Sequence, residues 1–183
     1  MKTKLALFLS SVLLSTSLYA IQPTKSELSQ LSWQDLTLSQ EKVATQFTSS
    51  KIAGTTGAIL AYKIPATQGS LNIKIRSQVV DNKSVFVPNV LVLDSQLNPS
   101  VDYSSAQFTF SEERGLQPSQ FEKELNLTPA NQDFIYLLIY TTEQDLQGKT
   151  TVTHPAKLLA KAKGNQPPAI ADLEVAHSNQ GKV

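Results

Sequence analysis

Residues 85–93 (VFVPNVLVL) and 134–140 (FIYLLIY) decide how this chain is read. Both are apolar almost without a break, as strands are when both faces are covered, so both are read as central strands. Pro88 interrupts the first run. A proline has no N–H to give a ladder, so a bulge or an exposed edge is expected there. Around this pair, residues 58–64 (AILAYKI), 71–75 (LNIKI), 107–111 (QFTFS) and 121–127 (FEKELNL) are shorter β-branched or aromatic runs separated by turn residues. In LNIKI, Leu71, Ile73 and Ile75 face one way and Asn72, Lys74 and Arg76 the other, the period of a half-buried strand with a solvent face. Strands at this spacing predict a mainly β fold, an antiparallel β-sandwich.

A short N-terminal helix and one C-terminal helix complete the expected architecture. The first is read over residues 26–33, where Leu28 and Leu31 are three apart and Ser26 offers an N-cap. The second begins at Thr153-His154-Pro155, runs through AKLLAKAK and stops at Gly164, with a capping residue and proline at its start and glycine after its last turn. Lys157, Lys161 and Lys163 suit its negative C-terminal end. Only Leu158 and Leu159 make an apolar side, which favours a packed, solvated helix over a membrane-surface one. Residues 94–99 (DSQLNP) read as a turn closed by side-chain hydrogen bonds. Residues 173–176 read as a strand whose hairpin partner is missing, which predicts a chain shortened relative to a longer form.

Composition bounds the function. With 183 residues, 40% apolar and 17% charged, the chain is one ordinary globular domain rather than a disordered tail. It has no cysteine, which excludes disulfides, Cys-ligated metals, a thiol nucleophile and a lipidated N-terminal Cys. Lys2 and Lys4 followed by a Leu/Ser-rich run and Leu18-Tyr19-Ala20 read as a cleaved secretory signal over residues 1–20. Its 14-residue apolar run is short beside the roughly 20 that span a bilayer. Loss of Lys2 and Lys4 leaves 14 basic against 15 acidic residues, a charge with no electrostatic reason to bind nucleic acid or anionic lipid. The expected organisation is therefore the signal, a Ser/Thr/Gln-rich segment over 21–50 with the short helix, the β domain with its C-terminal helix over 51–164, and a linker and strand over 165–183.

Motifs for chemistry are sparse. His154 and His177 are the two histidines; neither belongs to a metal-binding spacing, and His154 reads as the cap of the C-terminal helix. No G-x-S-x-G elbow, calcium loop or phosphate loop is present. The carboxylates sit mostly in turns, so no catalytic residue, metal or cofactor is assigned and no enzyme is expected. Thr142 and Asp145 have the three-residue spacing of a capping box. For a sugar ligand, the polar and aromatic residues near strand ends are the candidates: Trp33, Asp94, Asn98, Tyr103 and Glu143.

Residues 28–33 (LSQLSW), 84–94 (SVFVPNVLVLD), 98–100 (NPS), 127–130 (LTPA), 136–146 (YLLIYTTEQDL) and Pro155-Ala156-Lys157 leading to Gly164-Asn165 resemble, in order along residues 27–177, the maltose operon periplasmic protein family. The resemblance implies a soluble periplasmic protein of the maltose and maltodextrin uptake system, and it brings no catalytic residues with it. Longer family members continue past this point with an Ala/Pro-rich stretch and a helical part. The expected role is an accessory of transport that binds maltodextrin weakly or contacts a component such as the maltoporin or the periplasmic maltose-binding protein. A structural envelope protein without sugar affinity is the second reading and a glycan hydrolase the third.

Overall fold

The computed structural model describes residues 21–37, 42–45, 47–53, 55–66, 69–115 and 117–183. The expected signal segment lies outside them. In chain order the elements are α1 (Lys25–Ser29), β1 (Gln34–Asp35), β2 (Thr48–Ile52), β3 (Thr55–Pro65), β4 (Leu71–Gln78), β5 (Ser84–Phe86), β6 (Asn89–Leu93), β7 (Pro99–Tyr103), β8 (Thr109–Ser111), β9 (Gln120–Leu127), β10 (Phe134–Tyr140), α2 (Glu143–Leu146), β11 (Lys149–Val152), α3 (Pro155–Ala162) and β12 (Leu173–Ser178).

The two apolar runs lie side by side. β10 pairs antiparallel with β3 on one side and β6 on the other, in a sheet ordered β1-β3-β10-β6-β7 with β2 also on β3. One face of this sheet, through Leu60, Ile64, Val92, Leu137 and Ile139, shares a core with Leu71, Ile75, Leu125 and Leu127 of the small sheet β4-β9-β8. The opposite face, through Ile59, Leu91, Leu93, Leu138 and Tyr140, is covered by Ile21 and Leu28. Both faces are thus buried, which is why neither run alternates. The third sheet, β11-β12-β5, closes over a valine cluster of Val79, Val85, Val87, Val152 and Val175.

Several expectations change in detail. Pro88 is buried and marks neither a bulge nor an exposed edge; the chain leaves the third sheet after β5 and enters the large sheet at β6. A residue without an N–H belongs at such a crossing, where no ladder runs. The bulge falls instead at Val92/Leu93, between β6 and β7. The fold is mainly antiparallel, but β1 on β3 and β12 on β5 are parallel. β12 is not half of a hairpin, since β11 and β5 flank it on both sides.

The N-terminal helix is shorter than read and is capped by Thr24, not Ser26. The Thr24 hydroxyl accepts from the Glu27 N–H, and the Glu27 carboxylate accepts from the Thr24 N–H, a reciprocal box. The other Glu27 oxygen accepts from Ala53 N–H at 3.0 Å and so holds the β2–β3 turn, where Ala53 sits at φ 50°. These bonds, from the Thr24 backbone first, keep the Glu27 carboxyl below its ordinary value. α3 follows the sequence reading: His154 Nδ1 accepts from Ala156 N–H, Pro155 starts the first turn, and Gly164 takes φ 69° just past the end.

Leu28 is the plug that seats α1 on the large sheet, with none of its surface exposed. Leu28→Ala is expected to lower unfolding stability by about 2–5 kcal/mol, read as a lower urea midpoint; a loss under about 1 kcal/mol would show that α1 is not part of the cooperative core.

Candidate functional site

The five residues singled out for a sugar do not converge. Trp33 donates its Nε1–H to Leu28 O at 3.0 Å and packs on Tyr136, ring centroids 4.6 Å apart. Asp94 accepts from the N–H groups of Gln96 and Asn98, both at 2.8 Å, and from the Asn98 side-chain amide at 2.8 Å. Burial pushes the Asp94 carboxyl up, but the bonds from Asn98 and Gln96 outweigh it and leave it below its ordinary value. Asp94 and Asn98 therefore close the turn that holds Leu97 at φ 62°. These three lie where β6 ends, beside the Tyr136–Leu93 pair. Tyr103 and Glu143 lie at the other end, near the Tyr140–Asn89 pair, about 13 Å away along four residues of β10. Tyr103 is half-buried with Lys123 Nζ 5.5 Å from its ring centre, and Glu143 is exposed in the first turn of α2.

At that second end the structure builds a polar hub that the Thr142–Asp145 spacing only partly announced. Asp145 Oδ2 accepts from Asn89 Nδ2 at 2.7 Å and from the Thr142 hydroxyl at 2.6 Å, while Oδ1 accepts from the Ser105 hydroxyl at 2.7 Å. Asn89 Oδ1 accepts in turn from Ser105 N–H. The Asp145 carbonyl meets His177 Nδ1 at 2.6 Å, and His177 Nε2 meets the Thr150 hydroxyl at 2.8 Å. Gly148 permits this approach, since a methyl there would lie 2.6 Å from the imidazole. Tyr140 donates to Asp102 at 3.3 Å, and burial, then the Asp102 charge, raises its hydroxyl well above the ordinary value. The hub fastens β6, the segment after β7, α2, β11 and β12 together. Both oxygens of its carboxylate accept hydrogen bonds, which fits a structural anchor.

A cleft of about 450 Å³ opens between two sheets. Leu36, Tyr62 and Ile64 form one wall; the other is the run of β4 from Asn72 to Gln78, with Lys182 and Val183 closing one end. Among the described residues four cations line it, Lys42, Lys74, Arg76 and Lys182, and no acidic side chain does. Lys42 lies 5.0 Å from the Tyr62 ring centre and donates to Gln34 at 2.7 Å; Lys74 pairs with Glu122 at 3.2 Å. Burial raises the Tyr62 hydroxyl above its ordinary value. The sequence displayed one signal for this site, the outward row Asn72, Lys74 and Arg76, but not that β4 would stand at an edge. Among the described residues no group of three or more His, Asp or Glu is arranged to hold a metal, and no helix is long and apolar enough to cross a membrane.

The described residues thus form a mainly β protein of three sheets with a cleft lined by basic side chains beside β4. Residues 54–183 match the maltose operon periplasmic protein precursor (MalM) family, and the chain belongs to it. It is 39% identical over 160 residues to the maltose operon periplasmic protein of Salmonella typhimurium and 37% over 158 residues to that of Escherichia coli, covering 85% and 84% of this chain and 52% of each relative. The chain therefore spans about half the length of the curated relatives it matches. Its place is the periplasm and its association is with the maltose system. No solved structure matches it.

Two substitutions test the hub. Asp145 is pushed up by burial but held down more strongly by Thr142, Ser105 and Asn89. Its folded pKa is below the unfolded one, so its stabilisation is full above about pH 4 and lost as pH falls through the folded value. Asp145→Asn is expected to melt lower than the wild type at pH 7 and to lose less on acidification to pH 3, measured as Tm against pH. Thr141 is 2% exposed and its hydroxyl finds no partner among the described residues. Thr141→Val is expected to raise stability by about 1 kcal/mol, checked by urea denaturation.

Proposed function

We propose that the protein is a non-catalytic accessory of maltose and maltodextrin transport that works by contacting a protein of the uptake machinery, the maltoporin or the periplasmic maltose-binding protein, through the β4 cleft. The observation that carries this reading is the cleft itself: an apolar floor, the basic side chains of Lys42, Lys74, Arg76 and Lys182 around it, and β4 along one wall. Basic side chains around an apolar floor favour a complementary protein surface and steer its approach. Membership of a maltose operon family supports the process.

Sugar is the second reading, supported by the Asn72 and Gln78 amides and the Arg76 guanidinium on the same cleft. Stacking faces count against it. Trp33 is engaged by Tyr136, and Tyr62 is 5% exposed beneath Lys42, whereas a sugar site is built on exposed aromatic faces.

The test pairs two measurements on the same preparation. Binding of purified maltoporin and maltose-binding protein is followed by interferometry, and thermal unfolding is followed with maltose through maltoheptaose at about 10 mM. A site with a dissociation constant near 1 mM would stabilise by roughly 1.4 kcal/mol, on the order of 3–6 °C for a domain of this size. The expected outcome is association with one of the two proteins and no length-dependent rise in Tm. A rise that grows with chain length, without protein association, would replace this reading with maltodextrin binding.

A further inference from the structure

The Asp145 hub brings together the parts of a reaction as well as those of an anchor. Asn89, where β6 begins, is 2% exposed, and its side-chain carboxamide is gripped at both ends. Its Oδ1 accepts from Ser105 N–H at 2.9 Å, and its Nδ2 donates to Asp145 Oδ2 at 2.7 Å. Ser105 opens the single turn Ser105–Gln107 after β7, and its hydroxyl donates to the other oxygen of the same carboxylate, Asp145 Oδ1, at 2.7 Å. One carboxylate thus touches both a hydroxyl and an amide nitrogen, and the amide oxygen rests on the N–H of the residue that owns the hydroxyl.

These are the roles an acyl transfer asks for. The Ser105 hydroxyl is a nucleophile bound to a base, and the Asn89 carboxamide is the acyl group. Ser105 N–H is a fixed donor to the oxygen on which negative charge develops. Burial pushes the Asp145 carboxyl up, but the bonds from Thr142, Ser105 and Asn89 outweigh it, so the group is ionised at neutral pH and able to take a proton. The Thr142 hydroxyl, 2.6 Å from Oδ2, and the first turn of α2 hold it in place. Burial of Asn89 keeps away the water that would compete for the acyl carbon. Ser105 already touches its target through its own backbone, so closing to the roughly 3–3.5 Å of an attacking pair is a side-chain movement.

We infer that Asn89 and Ser105 become joined by an intramolecular ester that the protein forms on itself. Asp145 takes the hydroxyl proton of Ser105, Ser105 Oγ bonds to Asn89 Cγ, and the tetrahedral centre holds its negative oxygen on Ser105 N–H. The carboxyl then returns the proton to Nδ2, the nitrogen its second oxygen already faces; the Cγ–Nδ2 bond breaks, and the nitrogen leaves as ammonia. The balance is complete: one carboxamide and one hydroxyl give one ester and one ammonia. The link joins residues 16 apart and ties β6 to the chain after β7, in a protein with no cysteine for a disulfide. It uses no part of the β4 cleft and stands apart from the accessory role proposed above.

The test is the mass of the protein isolated folded from the periplasm, incubated at neutral pH and then denatured for mass spectrometry. The expected chain is lighter than its sequence by one ammonia, about 17 Da. Proteolysis before Asp94 and Asp102, which lie between the two residues, is expected to leave the fragments holding Asn89 and Ser105 joined. Hydroxylamine, which cleaves esters and spares peptide bonds, is expected to part them. Ser105→Ala and Asp145→Asn, each checked as folded by circular dichroism, are expected to keep the full mass. A folded wild type at full mass would overturn the inference, because a network of hydrogen bonds alone loses no atoms. A lightened protein whose fragments come apart without hydroxylamine would overturn it too, since that is the sign of a succinimide at Asn89. The same joined fragments in Asp145→Asn would remove Asp145 as the base, and in Ser105→Ala they would remove Ser105 as the nucleophile.

Discussion

The ladder that β10 makes with β3 on one side and β6 on the other is the constraint on which the molecule depends. Seven residues of β10 pair with β3, from Phe134–Pro65 to Tyr140–Ile59, and five with β6. A backbone so placed has no water to turn to, so every N–H and C=O must find its partner within the sheet. Once it does, the side chains must be apolar on both faces, and two different structures are needed to cover them. The β4-β9-β8 sheet covers one face and the N-terminal segment with Leu28 covers the other. The cleft is a consequence. A three-stranded sheet laid on a larger one leaves its outer strand, β4, overhanging the edge carried by β1.

The Asp145 hub is the second support, and its position explains its chemistry. It sits where β10 ends and the chain turns into α2, a place where buried backbone and hydroxyl groups accumulate. One ionised carboxylate accepts from Asn89, Ser105 and Thr142 together. A buried carboxylate is costly unless it is so surrounded, and here the hydrogen bonds outweigh the desolvation, which is the direction of its pKa. His177 adds β12 to the same point through the Asp145 carbonyl, so the last long strand is held near the centre although it is remote in sequence.

What the sequence displayed follows from local physics. Unbroken apolar runs identify β6 and β10, period-two alternation identifies β4, and His154-Pro155 with Gly164 bounds α3, because in each case neighbouring residues carry the signal. The Thr24–Glu27 box was equally local and was passed over for Ser26. The polar strands β1, β7 and β11 had no such signal, since edge strands expose side chains of any type. Pairing order was invisible too: β12 lies parallel to β5 some ninety residues away, and nothing in LEVAHS says so. The candidate residues Trp33, Asp94 and Asn98 were chosen for chemistry and proved to be fastening a helix and a turn. The cleft has no local signal because Leu36, Lys42, Tyr62, Ile64, residues 72–76 and Lys182 meet only in the fold.

The basic residues along β4 have a plain physical use. Proteins protect exposed edges with lysines, since an unpaired row of N–H and C=O groups recruits any strand that drifts near. Lys74 and Lys182 do that here. They repel a second copy of β4, whose outward row carries the same charges, and they penalise an apolar strand that would strip water from their ammonium groups. An edge guarded only against aggregation is commonly shortened, interrupted by proline or twisted away by a bulge; β4 has eight residues, no proline and an unbroken register with β9. Charge is therefore what deters a second strand on β4, and it does so without shortening or bending the strand.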